Sequence, residues 1–149
     1  MSVLIASDHA GFHLKEALIS YLTKRAVSVK DLGTHSTDSC HYPQYAAALA
    51  RAISRRQYSR GILICKSGIG NSIVANRFPG VRAALAYNAT AARLSRQHND
   101  SNVLVLGAGF VTRVQAQRIV RVWLAARFEG GRHQIRLNQL KRIEKELAK

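Results

Sequence analysis

Cys65, Lys66, Ser67, Gly68, Ile69 and Gly70 form the stretch of this chain best equipped for chemistry. The thiol stands at the end of an apolar run, Gly61-Ile62-Leu63-Ile64, which is too short for a lone helix and rich enough in branched residues for a buried strand. Glycines break the pattern after it, and Asn71 to Arg77 reads as the first turns of a helix. A strand that enters a helix through a glycine-bearing turn aims free backbone N–H groups at one point. A thiol at the mouth of such a nest can act as nucleophile or base beside an anion hole. The alternative for such a residue is a small buried core cysteine.

Two further polar groups follow apolar runs. Asp8 and His9 come directly after Ser2 to Ser7 (SVLIAS), and Gly107-Ala108-Gly109 comes after Asn102 to Leu106 (NVLVL). Arg132 and Arg136 lie four apart behind Glu129-Gly130-Gly131, a spacing that stacks their side chains if the segment is helical. His9 and His13 share the i, i+4 spacing of a zinc pair, but no acid lies between them and no third ligand is evident, so no metal is expected. Gly68-x-Gly70 lacks the third glycine of a dinucleotide fingerprint.

These groups need elements to position them. Phe12 to Arg25 carries Leu14, Leu18, Ile19 and Leu22 at helical spacing, and Ala26 to Leu32 alternates like a strand. An alanine-rich helix is expected from Tyr42, with Pro43 near its start, to about Arg56. Val81 to Tyr87 reads as a fourth strand, Ala89 to Gln97 as a helix capped by Asn88, and Arg113 to Arg127 as a long amphipathic helix. A last helix spans about Gln134 to Leu147. The strand–helix alternation predicts an α/β fold, a parallel sheet covered on both faces. In such a sheet the loops after the strands gather at one edge, which brings the Asp8, Cys65 and Gly107 segments together.

With 149 residues the chain is expected to form a single domain with a real core. It has no run long enough for a membrane span and no leader-like start, so a cytoplasmic location is expected. Cys40 and Cys65 are expected as free thiols. The net charge of +15 permits nucleic-acid binding, but its arginines are spread along the chain and no recognition motif accompanies them. A solvated basic surface is the preferred explanation, and nucleic acid an unlikely partner.

Ser7-Asp8-His9-Ala10-Gly11-Phe12, Gly61 to Cys65, Gly68-Ile69-Gly70, Ala75-Asn76, Arg96 to Asp100 and Glu129 to His133 together resemble the B-type ribose-5-phosphate isomerases. They also resemble the related galactose-6-phosphate and allose-6-phosphate isomerases, in the same order over nearly the whole chain. The resemblance implies a three-layer Rossmann-like sandwich on a five-stranded parallel sheet. It also implies a homodimer or homotetramer with shared active sites, the helix at 134–147 touching a partner subunit. The implied reaction is aldose–ketose isomerisation of a sugar phosphate, most directly ribose 5-phosphate, through an enediolate and without cofactor or metal.

Carried onto this chain, Cys65 is the base, its pKa lowered by the following turn and helix. Main-chain N–H groups of Lys66, Gly68, Ile69 and Gly70 hold the enediolate oxygen, and Ser67 passes a proton between oxygens. His98 opens the sugar ring, Asn99 and Asp8 bind the sugar, and His9, Arg132 and Arg136 take the phosphate. Lys66 replaces a glycine usual in the family, which adds a cation that could lower the thiol pKa further. Gly109 stands where many members have arginine. A sugar-phosphate sensor without activity is the reading these departures would favour.

Overall fold

The computed structural model describes all 149 residues. The strands are β1 (Ser2–Ser7), β2 (Ser28–Asp31), β3 (Gly61–Cys65), β4 (Ala83–Leu85) and β5 (Val103–Gly107). The helices are α1 (Phe12–Thr23), α2 (Tyr42–Ser54), α3 (Ile69–Ala75), α4 (Ala89–Asn99), α5 (Arg113–Ala125) and α6 (Arg132–Leu147). All strand pairs are parallel, in the order β2-β1-β3-β5-β4.

β3 and β5 read as continuous apolar runs because every residue of each is buried. Both faces of the sheet are covered, so the polar/apolar alternation of a half-wet strand is absent. Ile62, Ile64, Leu104 and Leu106 point to one side, against Leu18 and Leu22 of α1 and Ile119 and Trp123 of α5. Leu4, Leu63, Val103 and Val105 point to the other, against Ala46, Leu49 and Ile53 of α2. Three layers result. Trp123 is fully buried, and its indole N–H donates to Ser101 Oγ at 2.8 Å, so burying the ring leaves no orphan donor.

Element boundaries shift little from the sequence expectation, with two informative exceptions. The strand expected over Val81–Tyr87 contracts to three residues at the sheet edge, where alanines offer little to bury. Ile69 and Gly70, expected in the turn, already belong to α3. Gly68 is its N-cap at φ +83°, a left-handed conformation that lets the chain leave β3 and enter a helix within three residues.

β2 lies on one side of β1 and β3 on the other, so the chain reverses direction across the sheet between β1 and β3. The crevice beyond the carboxyl ends of these two strands is where open parallel sheets bind ligands. Asp8 follows β1 there, and Cys65 closes β3.

Candidate active site

The strand ends are tied into one platform. Asp8 N–H donates to Ile64 O at 3.3 Å, Ala108 N–H to Cys65 O at 2.8 Å, and Gly109 N–H to Lys66 O at 2.9 Å. Gly107 is paired with Cys65 in the register of β3 and β5. A Cβ on Gly107 would fall 2.5 Å from Ser67 O, so only glycine lets the two loops meet. Asp8, His9 and the Cys65–Gly70 loop thus share one edge, as their positions after strands require.

Cys65 is buried, 5% exposed. Gly68 N–H donates to its sulfur at 3.2 Å, and Ile69 N–H donates to Ser67 Oγ at 3.2 Å. Tyr87 Oη donates to Ser67 O at 2.7 Å and braces the loop from β4's side. Burial raises the thiol pKa and the Asp8 carboxylate adds to the rise, while the main-chain N–H groups of Asn71, Gly68 and Ser67 oppose it. The net direction is upward. The lowering expected from the turn and helix is present as a contribution but is outweighed by desolvation.

Lys66 does not act on the thiol. Its side chain lies across Gly109, where an added Cβ would come within 2.8 Å of Cε and 3.1 Å of Nζ. A lysine that crosses the neighbouring loop needs the glycine beneath it, so the two departures from the family pattern fit each other.

The loop 35–41 closes over His9. Cys40 N–H donates to His9 Nδ1 at 3.2 Å, which assigns the proton of the neutral imidazole to Nε2 and leaves that nitrogen as a donor. His9 is therefore fixed by the loop instead of pairing with His13. Asn71, which the sequence marks only as the start of a helical segment, lies next to the thiol's amide donors. It is 1% exposed and its Oδ1 has no hydrogen-bond partner, so it presents an unused acceptor beside the thiol's amide donors. A polar residue on the first turn after a glycine cap is the signal that marks it.

The other expected residues lie elsewhere. α4 starts after β4 and runs back against the strand direction, so His98 and Asn99 reach the opposite edge of the sheet. There Arg82, which precedes β4, donates through Nε to Asn99 O at 2.9 Å. His98 stacks on His133, ring centroids 4.3 Å apart and 12° from parallel. Glu129 N–H donates to Gln97 O at 3.0 Å, and His133 Nε2 lies 3.6 Å from Glu129 Oε2. Arg132 and Arg136, both in the first two turns of α6, make no ion pair. Desolvation, then His98 and Arg132, lower the His133 pKa, with Glu129 opposing.

The expected site residues thus fall into two groups, the half-sites of the shared site that the sequence predicts. Asp8, His9 and Cys65–Gly70 sit at the carboxyl ends of the strands, and His98, Asn99, Arg132 and Arg136 at the amino ends. A strand of five residues spans about 16 Å, which sets the scale of their separation.

Donor atoms of His98, Glu129 and His133 lie within 4.8 Å of one another and are the residues placed to hold a metal. The stacked rings direct their in-plane lone pairs nearly parallel, which opposes convergence on one ion. Two neighbouring arginines oppose a cation as well. The arrangement suits proton transfer and anion binding.

A family model described as Ribose/Galactose Isomerase matches residues 3–140. The chain is similar to ribose-5-phosphate isomerase B of Escherichia coli, with 44% identity over 142 residues, 95% of each chain. Among solved structures, ribose-5-phosphate isomerase B of Clostridium thermocellum matches with a TM-score of 0.96 at 44% identity, covering 99% of both chains. The Mycoplasma genitalium enzyme, solved with ribulose 5-phosphate bound, matches with a TM-score of 0.94 at 41% identity over 97% of each chain.

Proposed function

The chain belongs to the ribose/galactose isomerase family, and from that premise we propose that it interconverts ribose 5-phosphate and ribulose 5-phosphate in a site built from two copies. The observation that carries the reading is the Cys65 sulfur, held under the Ser67–Asn71 amides at the switch point of the sheet.

The Cys65 thiolate removes the C2 proton of the open-chain aldose and returns it to C1. Negative charge grows on the C1 oxygen during the first transfer, where main-chain N–H groups of the Lys66–Gly70 loop receive it. Ser67 Oγ accepts an N–H at its back, from Ile69, and is free to pass a proton between the C1 and C2 oxygens. The proton balance closes within the substrate, so neither oxidant nor reductant enters.

His98 of a second copy opens the furanose ring, its imidazole held in place by stacking on His133. Asp8 and Asn99 bind sugar hydroxyls. The phosphate is held by Nε2–H of His9 together with Arg132 and Arg136 from that second copy, unpaired cations in a fork geometry. The apolar side chains of α6, Leu140 (44% exposed) and Ile143 (55% exposed), are what this helix offers to a partner. A homodimer is the smallest assembly that completes the site, and a homotetramer repeats it. No helix is long and apolar enough to cross a membrane. The two free thiols, Cys40 and Cys65, support a reducing cytoplasmic setting.

A coupled assay on ribose 5-phosphate, allose 6-phosphate and galactose 6-phosphate tests the proposal. Turnover should be highest on ribose 5-phosphate and vanish in Cys65→Ala. Equal turnover by Cys65→Ala would reject the base assignment, and preference for a hexose phosphate would reject the substrate.

A further inference from the structure

The edge of the sheet opposite Cys65 carries more positive charge than its fold can neutralise. A cavity of about 650 Å³ opens there between the α2–β3 connection, the turn before β4 and α6. Arg56, Arg60, Arg82 and Lys141 line it, with the amide of Asn102 and the hydroxyl of Ser59 between them. The volume falls in the range that holds a nucleotide-sized ligand.

Its charges are short of partners. Asp100 accepts from Arg96 Nη1 at 2.7 Å and from Arg82 Nη2 at 3.2 Å, so one carboxylate serves two guanidiniums. Glu144, the other nearby acid, is engaged with Gly80 N–H at 2.9 Å. Arg56, Arg60 and Lys141 form no ion pair. Arg96 is 4% exposed, and its Nε has no hydrogen-bond partner. Arg60 is partly desolvated and feels Arg96 and Arg82 as like charges, which lower its pKa. Crowding like charges in a partly dry cavity costs free energy unless an anion joins them.

We propose that this cavity is a binding site for a small polyphosphate anion, separate from the sugar-phosphate site. Four cationic side chains on three different segments surround one space, which matches two or three phosphoryl groups better than one. Arg82 links the cavity to the second half-site, because the same guanidinium donates to Asn99 O at 2.9 Å and to Asp100 O at 2.9 Å. Either a nucleoside triphosphate or inorganic polyphosphate offers this chemistry.

Calorimetric titration of the full-length protein with tripolyphosphate, with and without saturating ribose 5-phosphate, tests it. The expected result is one site per chain whose affinity is unchanged by the sugar phosphate. It should weaken about tenfold or more in Arg56→Gln/Lys141→Gln and persist in Arg132→Ala/Arg136→Ala. Both glutamine positions are exposed, and unchanged kcat/KM on ribose 5-phosphate would show that the doubly substituted protein is folded. ATP binding more tightly than tripolyphosphate assigns the nucleotide as ligand; the reverse assigns polyphosphate itself. Absence of binding overturns the proposal. So does displacement by ribose 5-phosphate, loss of binding in the Arg132/Arg136 variant, an equal response to sulfate at matched ionic strength, or binding only of a single-stranded oligoribonucleotide.

Discussion

The Gly68 amide donates to the Cys65 sulfur across 3.2 Å, and it can do so because Gly68 holds φ at +83°. A Cβ at Gly68 would stand 2.5 Å from Leu85 Cδ1 and 3.2 Å from the main chain of Leu106. Gly68→Ala should therefore swing the loop away from the thiol. We expect a loss of about 1–2 kcal/mol in stability from the backbone strain. Misaligned donors should lower kcat about a hundredfold with little change in KM. Urea unfolding and steady-state kinetics on the same preparation separate the two effects.

The raised pKa of Cys65 gives the enzyme a pH signature. Only the thiolate can take a proton from carbon, so kcat/KM should climb as the pH rises through neutrality into the alkaline range. Iodoacetamide should alkylate Cys65 with a midpoint above the free-thiol value of about 8.5. The folded chain holds this proton at pH values where the unfolded chain has released it. Its contribution to stability is thus complete below the ordinary thiol range and is lost as the pH rises through the folded value. A midpoint at or below that of a free cysteine peptide would contradict the burial argument.

What the sequence discloses here is local order, and what it hides is enclosure. The runs ending at Cys65 and Gly107 announce buried parallel strands because each is apolar without alternation. The direction of the thiol's pKa was not legible, since it depends on how much protein covers the sulfur. Lys15 sits in a helix whose pattern leaves it free to be solvated, yet it is fully buried. The meeting of Lys66 with Gly109 joins residues 43 positions apart and needs the pairing of β3 with β5 to be known. The separation of His98 from Cys65 follows from helix direction alone, once α4 is known to run back along the sheet.

Lys15 supplies a stability test. Its ammonium donates to Asp31 Oδ2 at 2.6 Å and to Glu16 Oε1 at 3.0 Å. Asp31 Oδ1 accepts from Gly33 N–H at 2.8 Å, and Gly33 O in turn receives Ser7 N–H at 2.7 Å. Asp31→Asn removes the closer countercharge of a buried cation and should cost about 3 kcal/mol. Lys15→Met/Asp31→Asn should recover much of it, because no charge is then left buried. The Gly33–Ser7 bonds lead directly to Asp8, so Asp31→Asn should also raise KM for the sugar phosphate. Urea titrations of the three proteins read the first effect, and substrate saturation curves the second.

His133 titrates in the opposite sense from Cys65. Burial and its cationic neighbours keep it neutral below the ordinary histidine range. On acidification the unfolded chain takes up a proton near pH 6.5 before the folded chain does. The contribution of His133 is therefore whole above about pH 6.5 and is lost as the pH falls toward its lowered folded value. Tm should drop more steeply between pH 7 and pH 5 in the parent protein than in His133→Gln. Parallel slopes would mean that His133 is ordinarily solvated.

Cys65 and His98 stand at opposite edges of one sheet, so the proposed site takes the thiol of one copy and the imidazole of another. Cys65→Ala and His98→Ala should each abolish or nearly abolish turnover as pure proteins. Unfolded together in equal amounts and refolded, they should form mixed dimers as half of all dimers. Each mixed dimer pairs one intact thiol with one intact imidazole in one of its two sites, while the other site lacks both. Activity should therefore return to about a quarter of the parent value, the product of one-half mixed dimers and one-half intact sites, taking the sites as independent. A site contained within a single chain predicts no recovery at all, because each chain in the mixture lacks one of the two groups. The same mixture made with Cys65→Ala/His98→Ala in place of either single variant must stay silent when its partner is Cys65→Ala. With His98→Ala it must also stay silent, since no chain then carries the imidazole. Recovery in the control with Cys65→Ala would mean that Cys65 is dispensable as the base. Recovery in the control with His98→Ala would mean that His98 is dispensable for ring opening, and the second half-site would have to be reassigned.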